Sequence, residues 1–156
     1  MKQLRVEHFN FEQDFMEDNI RCIPMIVRFK LDACGIKLKL KEWNKMTVEE
    51  REQLAVLPID SLTNLDVYRI YLRDLIFKYT GEDATSLPAD KVNNYWASTD
   101  YLPPALEEKL EQSKMCISLA QWKNLNVLQR FALLKLTRSS HENKNFPKAM
   151  KEFGLD

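Results

Sequence analysis

The run Arg138-Ser139-Ser140-His141-Glu142-Asn143 is the densest polar cluster of the chain. It follows the most apolar stretch, 127–138, so it leaves the core at one fixed point. Two readings stand side by side. One is a recognition loop carried on a rigid base. The other is a helix end and turn in which Ser140 and Asn143 bond local backbone. His141 also belongs to the chemistry-bearing set Cys22, Cys34, Cys116 and His141. Neither H-x-x-x-H nor C-x-x-C occurs, so zinc has no local signature. Gathered in space, those four side chains would make a metal- or cofactor-handling protein. The plainer reading treats the cysteines as small buried hydrophobes. A dispersed acid/base set such as Asp32, Glu142 and His141 leaves a catalyst open, because spacing along the chain does not report assembly in space. With 3 glycines there is no phosphate cradle or dinucleotide fingerprint. The expectation is a protein without catalytic residues, cofactor or metal.

The second chemical feature is basic. Ile36-Lys37-Leu38-Lys39-Leu40-Lys41 alternates apolar and basic residues, and Arg28 and Lys30 lie just before it. The pattern reads as an extended connector over 36–39 leading into a short helix, with an edge strand as the alternative. Basic residues concentrate again in 123–151, and carboxylates in 82–112. The whole chain carries 23 basic and 23 acidic residues, so nothing in the total attracts nucleic acid or an anionic membrane. A helix-turn-helix reading fails on its recognition helices. The stretch 127–138 is too apolar for a groove, and 48–57 opens on Glu49, Glu50 and Glu52, which would face phosphate.

The elements that position these residues come from an offset within the chain. Moved 79 places along itself, the sequence brings Pro24 onto Pro103, Lys30 onto Lys109 and Leu31 onto Leu110. Trp43 falls on Trp122, Val48 on Val127, Arg51 on Arg130 and Leu54 on Leu133. No gap is needed between 24–57 and 103–136, which suggests two related helical units within one domain, 1–156. Ser118 and Gln121 form a capping box, in which the hydroxyl takes an orphan backbone N–H and the amide reaches back. Lys39 and Glu42 occupy the same offset. Thr47 with Glu50, and Asn126 with Gln129, cap the next helices. Short helices over 40–45 and 119–124 and longer ones over 48–57 and 127–138 follow, the last one central. Trp43 and Trp122 each plug the angle between a short helix and the next.

Flanking elements are simpler. Pro24 opens a buried helix over 23–33 that Gly35 stops. Thr63 caps a helix over 64–79. Others cover 11–20, 104–114 and 147–153. Tyr95, Trp96 and Tyr101 are expected to pin the irregular stretch 82–102 to the core. The fold class is all-α, one compact helical domain of about six to eight helices. No apolar run approaches the ~20 residues of a membrane helix. The start lacks the apolar core of a signal peptide, and an odd set of cysteines suits a reducing cytoplasm.

Three blocks carry a resemblance: "RCIPMIVRFKLDACGIKLKLKEW", "QWKNLNVLQRFALLKLTRSSHENKNF" and "KEFGL". From Phe9 to Leu155 the chain closely resembles the nitrate reductase-associated protein family, small bacterial proteins often encoded near assimilatory nitrate reductase genes. The resemblance implies an accessory protein for nitrate reductase activity or maturation, acting through protein contacts. Its strongest blocks fall on Arg21, Cys22, Pro24, Arg28, Lys30, Asp32, Gly35, Trp43, Arg130, Arg138, His141, Glu142 and Asn143. The expected partner face joins Arg28, Lys30, Lys37, Lys39 and Lys41 to Arg138, Ser140, His141, Glu142 and Asn143. Pro24, Gly35, Trp43, Thr47, Trp122 and Asn126 are expected to be structural.

Overall fold

The structure is a computed structural model that describes residues 6–87, 95–138 and 144–155. Among these residues it is all-α apart from one two-residue ladder. The chain divides into two compact units, Met1–Val92 and Asn93–Asp156.

In the first unit a 3-10 turn, Asn10–Glu12, leads into helix α1, Gln13–Glu17, and then into α2, Met25–Cys34. Pro24 is the N-cap of α2, where its missing N–H costs nothing. Gly35 ends α2 at φ 69°, a left-handed conformation that glycine adopts without a Cβ clash. The connector then splits. Ile36–Lys37 forms strand β1, antiparallel to β2, Thr85–Ser86, with Ile36 opposite Ser86 and Lys37 opposite Thr85. The edge-strand alternative therefore holds for two residues, and the connector reading holds for Leu38 and Lys39. Side-chain alternation survives, with Ile36 buried and Lys37 and Lys39 exposed. Helix α3, Leu40–Trp43, and α4, Val48–Val56, follow at the expected caps. At Lys39 the cap is half a box. The Glu42 carboxylate accepts from the Lys39 backbone N–H at 2.8 Å, but an ammonium has no lone pair to complete it.

Helix α5, Leu62–Thr80, begins two residues before the sequence suggests. Ser61, not Thr63, caps it, accepting from the Asn64 N–H at 3.0 Å. Both positions hold a hydroxyl residue, and the apolar pattern alone does not choose between them. Val27, Trp43, Leu54, Tyr68 and Leu72 form the fully buried centre of this unit's core. α2 packs on α4 and α5.

In the second unit a 3-10 turn, Tyr95–Ala97, precedes α6, Pro104–Gln112, α7, Leu119–Asn124, α8, Val127–Leu136, and α9, Asn145–Glu152. Pro104 takes the first turn of α6, where its ring is preorganised. Both predicted caps form completely. Ser118 Oγ accepts from the Gln121 N–H at 3.1 Å, and Asn126 Oδ1 accepts from the Gln129 N–H at 2.8 Å. α8 lies against α6, α9 and the 95–97 turn, with Phe131, Ala132, Leu133 and Leu136 buried. Trp96 meets Phe131 edge-on, with ring centroids 6.4 Å apart. Tyr101, however, is exposed and does not join the core.

Candidate functional site

The core has taken in several polar groups, and a buried polar group without a partner is costly. The tryptophans come first. Trp43 and Trp122 are both fully buried. Trp43 Nε1–H donates to the Ile20 carbonyl at 2.8 Å, and Trp122 Nε1–H to the Ser98 carbonyl at 2.9 Å. Each ring thus fills a gap and holds a loop that enters the unit more than 20 residues earlier in the chain.

The paired arginines do the same. Arg51 donates to the carbonyls of Asn19 at 2.6 Å, Trp43 at 3.1 Å and Asn44 at 3.2 Å. Arg130 donates to Trp96 at 2.7 Å and Leu125 at 2.5 Å. A rigid guanidinium fork suits several carbonyls at once. The Arg51 guanidinium also lies 5.8 Å from the Trp43 ring centroid, within cation–π range. Asn19 and Ile20 sit at φ 56° and 53°. For β-branched isoleucine this left-handed conformation is strained. The carbonyls of both residues are the ones that Arg51 and Trp43 grip.

Two further ionisable groups are interior. Lys30, expected on a partner face, is buried. Its Nζ donates to the carbonyls of Ala55 and Leu57, both at 2.6 Å, at the C-terminal end of α4. The Tyr68 hydroxyl donates to Leu54 beside them, at 2.7 Å. A cation there complements the helix dipole as well as the orphan carbonyls. Burial pushes the Lys30 ammonium below its usual pKa and the Tyr68 phenol well above its own. Glu12 is the counterpart at a helix start. Its carboxylate accepts from the Met25 N–H, the first of α2, at 2.8 Å, and from the Phe9 N–H at 3.0 Å. Burial raises its pKa despite these bonds. Sequence reading missed Glu12, Lys30 and Arg51 in these roles, because carbonyl and amide partners leave no residue-type pattern.

The exposed basic residues remain. Lys37, Lys39 and Lys41 are all exposed, on β1, the cap of α3 and α3 itself. Arg28 is half-buried, with Nε donating to the Ile23 carbonyl at 3.2 Å. In the second unit Arg138 is exposed and lines a depression of 240 Å³ with Glu108, Gln112 and Thr137. Ser140, His141, Glu142 and Asn143 lie outside the described residues, so the 138–143 loop is seen only at Arg138.

The remaining chemistry is thin. Cys22 is half-buried, Cys34 buried and Cys116 exposed, and none is in a disulfide. Burial pushes the Cys34 thiol above its usual pKa, which is the opposite of what a nucleophile or metal ligand needs. Among the described residues, no group of three or more His, Cys, Asp or Glu side chains is placed to hold a metal ion. A cleft of 390 Å³, lined in part by His8, Gln13, Glu17, Asn19 and Glu52, opens beside the strained turn. No local pattern marks it, since its walls come from segments before and after α2 in the chain.

Residues 8–153 match the family described as conserved nitrate reductase-associated protein. The chain belongs to this family. The match takes in both tryptophan clamps, both arginine forks and all three cysteines. No curated protein and no solved structure matches the chain. No helix among the described residues is long and apolar enough to cross a membrane.

Proposed function

We propose that this chain is a non-catalytic accessory protein that supports assimilatory nitrate reductase activity or maturation in the cytoplasm through protein–protein contacts. The observation that carries the reading is the family match over nearly the whole chain. The polar interior supports it. Glu12, Lys30, Arg51, Tyr68 and Arg130 all bond backbone amides or carbonyls, which makes them supports of the scaffold. What such a scaffold presents is its surface, and the basic residues there are the contact residues we assign. Lys37, Lys39 and Lys41 form the principal patch. Arg28 flanks it. Arg138 and the loop residues Ser140, His141, Glu142 and Asn143 make the second contact. Lys30 leaves the set, because its ammonium is held inside. Opposite charge on the reductase would speed encounter and set orientation more than it would raise affinity.

The test is co-purification with nitrate reductase from the same source over a series of salt concentrations. The expected result is capture that weakens as ionic strength rises. Replacing Lys37, Lys39 and Lys41 together by glutamate is expected to reduce capture and leave the helix content unchanged. A reductase that never associates, at any salt concentration, overturns the reading.

A further inference from the structure

Helix α5 buries Tyr68, Leu72, Leu75 and Ile76 on one face. At 3.6 residues per turn, Val67, Ile70 and Phe77 fall on the opposite face, with Leu62 at its edge. Leu62 is 83% exposed, Ile70 59%, Phe77 57% and Val67 52%. Single exposed hydrophobes are ordinary, but four along one helix form a stripe that no described residue covers. Asp66 and Arg73 run along one edge of that stripe. Asp66 is 68% exposed and bonds Arg69 at 2.8 Å through one oxygen, which leaves the other open. Arg73 is exposed and has no ion-pair partner among the described residues.

We propose that this face docks a second copy of the chain, α5 antiparallel to α5, about a two-fold axis at Ile70. The stripe is symmetric enough for this. Its ends, Leu62 and Phe77, lie eight and seven residues from Ile70, so each end meets the other in the partner copy. Ile70 meets itself on the axis. An isologous interface repeats every contact twice, so Arg73 stands opposite Asp66 of the partner copy on both sides of the axis. Asp74 lies between Ile70 and Val67 around the helix and falls beside Val67 of the partner copy, so each copy sets one carboxylate within the seam. A parallel pairing sets opposite edges of the two helices together and brings Asp66 beside Val67 of the partner copy, so only the antiparallel arrangement pairs Asp66 with Arg73. A two-helix seam sits at the small end of interface sizes, below about 1,200 Å² in total, and its association is correspondingly weak. This surface is separate from the lysine patch, and either assignment stands without the other.

Light scattering on the full chain over a concentration series reads the result directly. The mean mass is expected to rise from one chain to two through the micromolar range. Ile70→Asp places two carboxylates on the axis and is expected to give a monomer with unchanged circular dichroism. Arg73→Asp faces Asp66 with a like charge and is expected to weaken dimerisation by about tenfold or more, since the two-fold axis repeats the like-charge contact. The double exchange Asp66→Arg with Arg73→Asp restores the opposite pairing and should restore the dimer. Three results overturn the proposal. They are a wild-type chain that stays monomeric throughout, an Ile70→Asp variant that still dimerises, or a folded double exchange no better than Arg73→Asp alone.

Discussion

The two units use the same clamp on different loops. In the first, Trp43 and Arg51 hold carbonyls of Asn19 and Ile20, two residues in the left-handed region. In the second, Trp122 and Arg130 hold carbonyls of Ser98 and Trp96, whose backbone stays out of that region. A tryptophan N–H and an arginine fork therefore fix whatever loop arrives, strained or relaxed. The residues that build the clamp, Trp43 with Trp122 and Arg51 with Arg130, match across the 79-place offset. Some positions that differ across it are on the surface. Lys37, Lys39 and Lys41 correspond to Cys116, Ser118 and Ala120, and all six are exposed. Structure is held in common between the units, and surface chemistry is where they part.

The comparison is most sharply broken at the indoles. Trp43→Ala and Trp122→Ala each empty a fully buried site and are expected to cost about 3–5 kcal/mol. Trp→Phe at either position keeps most of the ring but orphans one carbonyl, and about 1–3 kcal/mol is expected. Denaturant unfolding of the four variants, followed by circular dichroism, checks both figures. Similar losses at the two positions would show that the strain at Asn19–Ile20 does not change what the clamp is worth. A much smaller loss at Trp122 would end the equivalence.

The arginines come next. Arg51→Met removes three hydrogen bonds to carbonyls, and Arg130→Met removes two. Both changes are expected to destabilise, by about 2–4 kcal/mol, with Arg51 the costlier. The same unfolding measurement ranks them, and a reversed order would mean that release of the strained turn offsets the lost bonds.

The smallest effect is on the caps of α4 and α8. Glu50 and Gln129 occupy the same capping position, but only Glu50 titrates. Burial alone would raise its pKa. Hydrogen bonds from the Tyr79 hydroxyl, the Thr47 N–H and the Lys78 ammonium outweigh that and hold it below 4.5. A carboxylate with a lowered folded-state pKa adds stability at higher pH and loses it as pH falls through the folded value. The first unit should therefore lose cap stability in acid below pH 4.5, and Glu50→Gln should flatten that loss. Melting temperatures of wild type and variant across that range provide the check.

Much of this architecture was legible. Thr47, Ser118 and Asn126 announce their helices because a cap is a local device with a local sequence pattern. The helices α7 and α8 start where those caps place them. Trp43 and Trp122 could be assigned to the core from their matched positions. The contacts between distant segments could not be read. Lys30 looks like surface charge until its carbonyls, 25 and 27 residues further on, are seen. Ile20 carries no propensity for the conformation it adopts, and only its bond to Trp43 reveals why it is there. The β1–β2 ladder has two residues per strand, too short for any periodicity. For the candidate surface, spacing correctly placed Lys37 and Lys39 outward, because alternation along an extended segment fixes which side faces water.

The turn at Asn19–Ile20 has a bearing on how the chain is made. Its two locks stand 23 and 32 residues downstream, so a ribosome releases the turn long before it releases what secures it. Until Arg51 has cleared the exit tunnel, this stretch has every reason to relax into an unstrained shape. A nascent chain halted before that point should leave the stretch open to protease, and one halted well after it should not.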